Sequence, residues 1–203
     1  MQYVNILEEE HMKEGKARVL NEKEFSRVVS TARRYAHAKR NVALLYFSHG
    51  LGLRAKEMAS LKVRNVQDDD GQIVQEITLT RDMTKGAKQR RAYLTNPKII
   101  AAIGEYLEER RKTERQLFNL DAALFKSQKG SAFTPNTMQQ LFHRLYVLAR
   151  LSGASSHSGR RTFATNLIEK GIDIKAVSTL MGHSSIAMTA QYVEDNPQRL
   201  KKI

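Results

Sequence analysis

Val42-Ala-Leu-Leu-Tyr-Phe47 is the most apolar stretch of this 203-residue chain. A helix with so little polar surface has to be buried, so the remaining elements must pack around it. Gly50 and Gly52 stand where such a helix would end, because glycine accepts the left-handed conformation just past a C-terminus. The chain is long enough to enclose such a core in one domain.

The flanking segments also read as helices. Asn21 followed by Glu24 forms a capping pair, and Phe25, Val28, Val29 and Ala32 recur at helical spacing, which predicts a helix from near Glu22. A short helix should run from Arg54 to Ser60, with Glu57 one turn on and able to orient the Arg54 guanidinium. Asn96-Pro97 marks the start of a helix through Ile99, Ile100, Ile103 and Leu107 to about Arg115, and Thr134-Pro135 the start of another through Leu141, Leu145 and Leu148. Two shorter helices are expected from Arg161 to Lys170 and from Ile174 to Met181, stopped by Gly171 and Gly182, and a last one should hold Tyr192.

Between Lys62 and Leu94 the period changes. Asp68-Asp69-Asp70-Gly71 is a turn joining a strand at Leu61–Val66 to one in which Ile73, Ile77 and Leu79 point inward, and a third strand covers about Gln89–Leu94. The expected fold is therefore α+β, mainly helical, with a small three-stranded antiparallel sheet carrying Lys85 at a hairpin tip. Residues 1–19 read as an arm or linker remnant, 20–194 as the domain, and 195–203 as a short tail.

The chain carries 34 Lys and Arg against 21 Asp and Glu, a net charge of +13, which points to a polyanionic partner, nucleic acid before a membrane surface. No run approaches the ~18–20 apolar residues of a membrane span, and residues 1–16 do not read as a signal peptide, so a soluble, cytoplasmic protein is expected. The absence of cysteine removes disulfides, thiolate catalysis and cysteine-ligated zinc together. The six histidines are too dispersed to form a metal cluster by spacing.

The residues that carry chemistry suit a phosphodiester. Attack by an oxygen nucleophile adds negative charge at phosphorus, and arginine meets it best, since its planar fork donates to two oxygens at once. Arg54 in Gly-Leu-Arg-Ala-Lys-Glu and Arg160 in His157-Ser-Gly-Arg160 are the candidates. His157 lies three residues before Arg160, near a helix start. His183 in Leu-Met-Gly-His follows Arg160 by 23 positions, and Tyr192 follows His183 by 9. The tyrosine phenol, with a reference pKa of about 10, needs a base or a strongly positive field to attack at neutral pH.

These fragments and their order resemble the catalytic domain of tyrosine recombinases, the phage-integrase family, from about Leu20 to Glu194. The resemblance implies a site-specific recombinase that cleaves and rejoins DNA through a 3′-phosphotyrosyl intermediate. Tyr192 would be the nucleophile, and Arg54, Arg160 and His183 would hold the phosphate. His157 would serve as base or as positioning group, and Lys85, with Lys88 as competitor, would be the general acid. Neither metal, ATP nor another cofactor is implied. Arg33, Arg34, Lys39, Arg40, Arg90 and Arg91 are expected to contact the backbone of double-stranded DNA.

A homotetramer on DNA from a monomer in solution is further implied, with DNA-bending accessory proteins as possible partners and a bacterial, archaeal or phage source. Most such enzymes carry an amino-terminal core-binding domain, so the chain is expected to be an excised catalytic domain or a naturally short recombinase. The tail is expected to dock on a neighbouring protomer. A type IB topoisomerase and a non-catalytic DNA-binding protein are the alternatives. Gly159 stands where the family often has leucine, which should loosen the helix start.

Overall fold

The computed structural model describes residues 17–84 and 89–194, the side chains of Val193 and Glu194 excepted. Lys85, Lys88, the tail and most of the expected amino-terminal arm lie outside the described residues. The junction of that arm with the domain is tied down: Arg18 N donates to Gly153 O at 3.2 Å, and Leu20 N donates to Thr162 Oγ1 at 2.9 Å.

The described residues form eight helices and two strands in the order α1 (Glu22–Ala32), α2 (Ala38–Leu51), α3 (Ala55–Ser60), β1 (Glu76–Leu79), β2 (Arg90–Tyr93), α4 (Pro97–Glu114), α5 (Pro135–Leu148), α6 (Ser158–Glu169), α7 (Ile174–Met181) and α8 (Ala187–Glu194). The starts follow local chemistry. Asn21 Oδ1 accepts from Glu24 N at 2.9 Å while Glu24 Oε2 accepts from Asn21 N at 3.0 Å, the reciprocal cap the sequence announces. Asn96 and Thr134 cap α4 and α5 ahead of a proline in the first turn.

Helix α2 is the centre of the molecule. Ala43, Leu44, Leu45 and Phe47 are each 0% exposed, and α1, α4 and α6 pack around them. The helix ends at Gly52, whose φ of +61° satisfies the left-handed cap, whereas Gly50 stays inside the helix against Ile99. Helix α6 begins at Ser158, three residues earlier than the sequence suggested, so His157 is its cap residue. Gly159 does not loosen this start. A Cβ there would stand 2.1 Å from Ser48 Oγ and 2.8 Å from Ser48 Cβ, so the missing side chain is what lets α6 lie directly against α2.

The sheet has two strands instead of three. Lys62 N donates to the Asn65 side chain at 2.7 Å, which curls Val63–Asn65 into a 3-10 turn, and Leu61 and Val63 exchange hydrogen bonds with residues 122 and 124 instead of with β1. In the remaining antiparallel pair, Ile77 faces Ala92 and Leu79 faces Arg90. Both members of each pair are buried, so strand alternation turns Arg90 inward and Arg91 outward.

Two apolar clusters result. The larger one runs from Leu20 to Ala154 and includes Phe47, Met58, Ile77, Ile103, Phe125 and Tyr146. The smaller consists of Ala164, Ile168, Val177 and Met181, with Phe163, Leu167 and Tyr192 packed against it.

Candidate active site

A cleft of about 260 Å³ opens where these two clusters meet, and Arg54, His157, Arg160, Arg161, His183, Gln191 and Tyr192 line it. Five of the six residues singled out as catalytic by the sequence thus share one pocket. The sixth, Lys85, belongs to the segment outside the described residues.

Arg54 is the cap residue of α3, held in place by the fully buried Leu53 before it. Its Nη1 donates to Glu57 Oε1 at 3.0 Å and its backbone N donates to Glu57 Oε2 at 2.7 Å, the orienting contact the i,i+3 spacing suggests. Glu57 itself is 0% exposed, and Arg90 grips it from the other side, Nη2 to Oε2 at 2.5 Å and Nε to Oε1 at 3.2 Å. Burial pushes the Glu57 carboxyl upward, but the Arg90 bonds, the Arg54 amide and the Arg160 charge outweigh it and hold it below the ordinary range. The carboxylate is therefore ionised among three guanidinium groups.

Arg160 sits in the first turn of α6. Its Nη1 donates to Gly52 O at 2.7 Å and its Nη2 to Met181 O, so it joins the end of α2 to the end of α7. Each of those nitrogens carries a second hydrogen, and the guanidinium edge forms part of the pocket wall. Burial, then the charges of Arg54 and Arg90, pull its pKa down to about 9, which leaves it cationic at neutral pH.

His183 follows Gly182, whose φ of +61° turns the chain out of α7. Its Nδ1 lies 2.7 Å from Thr189 Oγ1, a hydroxyl on α8 that is 0% exposed. Burial, with the charges of Arg160, Arg54 and Arg90, lowers its pKa to about 4, so the imidazole is neutral at pH 7. When Thr189 donates to Nδ1, the remaining proton lies on Nε2. The Tyr192 ring stacks on this imidazole with centroids 6.0 Å apart and planes 13° from parallel, and the Arg161 guanidinium lies 6.0 Å from the centre of the tyrosine ring. His157, at the cap of α6, is exposed at the cleft rim.

The basic residues expected to track duplex backbone divide into two groups. Arg33, Arg34 and Lys39 are exposed, and so is Arg91, which pairs with Glu76 at 3.2 Å. Arg40 and Arg90 are turned inward and cannot serve in that way. Arg40 is 5% exposed and donates to Asn41 and to Lys126 O, and Arg90 is 6% exposed. For Arg90 a signal existed in the sequence, since it shares its strand face with Ala92 and Leu94. Thr189 and Gln191 had no such signal, because their place depends on how α8 crosses α7.

Nothing in this donor set suits a cation. Among the described residues, no three His, Asp or Glu side chains converge as metal ligands. Guanidinium, imidazole and phenol groups around an electropositive cleft fit an anion with a bond to be attacked. Also among the described residues, no helix is long and apolar enough to cross a membrane.

Comparison with known proteins agrees with this chemistry. A sequence profile described as the phage integrase family matches residues 18–199. The tyrosine recombinase XerC of Shewanella amazonensis is 30% identical over 167 residues, which are 82% of this chain and 52% of that protein. The crystal structure of XerA recombinase superposes with a TM-score of 0.73 at 25% identity, over 92% of this chain and 64% of that one. The XerH site-specific recombinase in a post-cleavage complex with a palindromic difH substrate gives 0.70 at 26% identity, over 94% and 53%. The chain spans about half the length of the curated relatives it matches.

Proposed function

The chain belongs to the phage integrase family, and from that premise we propose that it is the catalytic domain of a site-specific recombinase that breaks and rejoins strands of double-stranded DNA. The observation that carries this reading is the convergence of Arg54, His157, Arg160, His183 and Tyr192 on one cleft. A protein that only bound DNA would have no need of a phenol facing two arginines.

In this mechanism the Tyr192 oxygen attacks the scissile phosphorus and its proton passes to solvent or to His157. The pentacoordinate state carries added charge on the non-bridging oxygens, which Arg54, Arg160 and His183 Nε2 stabilise by hydrogen bonds that shorten as the charge grows. The 5′-oxygen leaves with a proton from Lys85, or from Lys88, and a 3′-phosphotyrosyl ester remains. A 5′-hydroxyl from a partner strand attacks that ester, regenerates the phenol and seals the new strand. The ester conserves the bond, so ATP is not required, and arginine and lysine supply the positive charge that a divalent cation would otherwise bring.

Exposed Arg33, Arg34, Lys39 and Arg91 would hold duplex backbone, and four protomers would assemble on DNA from monomers, as the pairing of two strand exchanges requires. Incubation with a nicked suicide substrate bearing the cognate site, in EDTA, should yield a denaturation-resistant adduct that is lost in Tyr192→Phe. An adduct that survives this substitution, or no adduct at any cognate site, would overturn the proposal. Relaxation of supercoils without exchange between two marked duplexes would identify a topoisomerase instead.

A further inference from the structure

Arg90 is a buried cation beside the cleft that this mechanism leaves without a task. It is 6% exposed on the inward face of β2, and its donors are directed to protein. They reach both oxygens of Glu57, at 2.5 and 3.2 Å, Leu180 O at 2.7 Å and Gly52 O at 3.5 Å. Each acceptor lies two or three residues from a pocket residue. Glu57 orients Arg54, Gly52 O also takes a hydrogen bond from Arg160, and Leu180 lies at the end of α7, three residues before His183. The aliphatic stem is equally close: a Cβ on Gly182 would stand 2.6 Å from Arg90 Cδ.

Glu57 is the reason this matters. A carboxylate at 0% exposure needs its charge and both oxygens matched, and the planar fork of an arginine does that in a two-bond clamp. Arg54 is the other arginine in reach, and it now gives Glu57 a single guanidinium hydrogen bond. We propose that Arg90 is a positioning residue of the strand-cleavage site: by clamping Glu57 it keeps the Arg54 fork from closing on that carboxylate, and by its carbonyl contacts it sets the spacing of Arg54, Arg160 and His183. The proposal rests on the cleft being a phosphodiester-cleaving site. It assigns Arg90 no contact with DNA.

The test compares wild type, Arg90→Met, Glu57→Gln and the double variant, by rate of covalent adduct formation on a suicide substrate and by DNA affinity across salt concentrations. Arg90→Met should slow adduct formation on the order of 100-fold, the scale of an ångström-sized misplacement of a reacting group. Removing the carboxylate as well should recover at least about ten-fold of that loss, since Arg54 then has nothing to close upon. Affinity and its salt slope should match wild type. Arg90→Met as fast as wild type, a double variant no faster than Arg90→Met, or a salt slope reduced by about 0.9, the signature of one lost phosphate contact, would each overturn the proposal.

Should Arg90→Met fail to fold, Arg90→Lys keeps the charge, gives up the fork and should still be slowed about ten-fold. A wild-type protein that forms no adduct would defeat the functional reading separately. In that event carbon-13 NMR of Glu57 decides the inference without reference to activity. Its carboxyl should titrate at higher pH in Arg90→Met or Arg90→Lys than in wild type, and an unchanged titration would reject the clamp.

Discussion

The two apolar clusters hold opposite halves of one pocket in different ways. The larger cluster draws on α1 to α5 and the sheet, and it fixes Leu53 and Met58 on either side of Arg54 and Glu57. The smaller has four buried residues, and upon it rest α7, α8, His183 and Tyr192. Burial of apolar area scales the resistance of an element to displacement, so the side that carries Arg54 and Glu57 is held more firmly than the side that carries His183 and Tyr192. Two arginines hydrogen-bond across the seam, Arg90 to Leu180 O at 2.7 Å and Arg160 to Gly52 O at 2.7 Å.

The sharpest break in this comparison is chemical. Tyr192→Phe should abolish adduct formation completely while changing unfolding free energy by no more than about 0.5 kcal/mol, as for a substitution that leaves packing intact. A large loss of stability in that variant would mean that the phenol oxygen holds α8 in place.

Next comes a matched pair of methionines, both 0% exposed. Met58→Ala, in the larger cluster, should cost about 3–5 kcal/mol in denaturant unfolding, and Met181→Ala about 2 kcal/mol, because the thinner cluster relaxes around the vacancy. Under conditions where both variants are folded, Met181→Ala should nevertheless slow adduct formation more, since Met181 O receives the Arg160 hydrogen bond. Equal costs, or the reverse order in activity, would erase the distinction between the two sides.

Gly159→Ala probes the seam directly. Its methyl group would have to displace Ser48 and His49, and about 1–2 kcal/mol of overpacking should appear as a lower unfolding midpoint. Unchanged stability would show that α2 and α6 can separate freely.

The comparison also has a pH dependence. Burial lowers His49 to about 3, and burial with three nearby arginines lowers His183 to about 4, against 6.5 for both in an unfolded chain. In the interval between, the unfolded state binds more protons, so stability is complete above pH 6.5 and declines as pH falls toward 4. His183→Gln should flatten the part of that decline between pH 6.5 and 4 in denaturant titrations. An unaltered slope would place the acid sensitivity in the larger cluster, at His49.

How much of this was legible in advance differs by residue. Gly52, Asn21, Asn96 and Thr134 act on their own turn of chain, and their helices start or stop where local hydrogen bonding and φ require. Arg54, His157, Arg160, His183 and Tyr192 were marked by type, order and spacing, and all five line the cleft. The first of the three expected strands, Leu61–Val66, was misread because Asn65 offers Lys62 N a side-chain acceptor that competes with a ladder. Arg40 and Arg90 were misread because a basic composition makes every arginine resemble a surface charge. Gly159 was misread because the lack of a side chain looks like looseness until a second helix is laid against it.

By itself the sequence determined which groups line the cleft, along with the helices that carry them, since caps, periodicity and motif order act over a few neighbouring residues. Tertiary structure alone decided which cations stay exposed and which face Glu57. An arginine's role depends on the acceptors within reach of its fork, and Gly52, Glu57 and Leu180 come within reach of Arg90 only after α2, α3 and α7 have packed around β2.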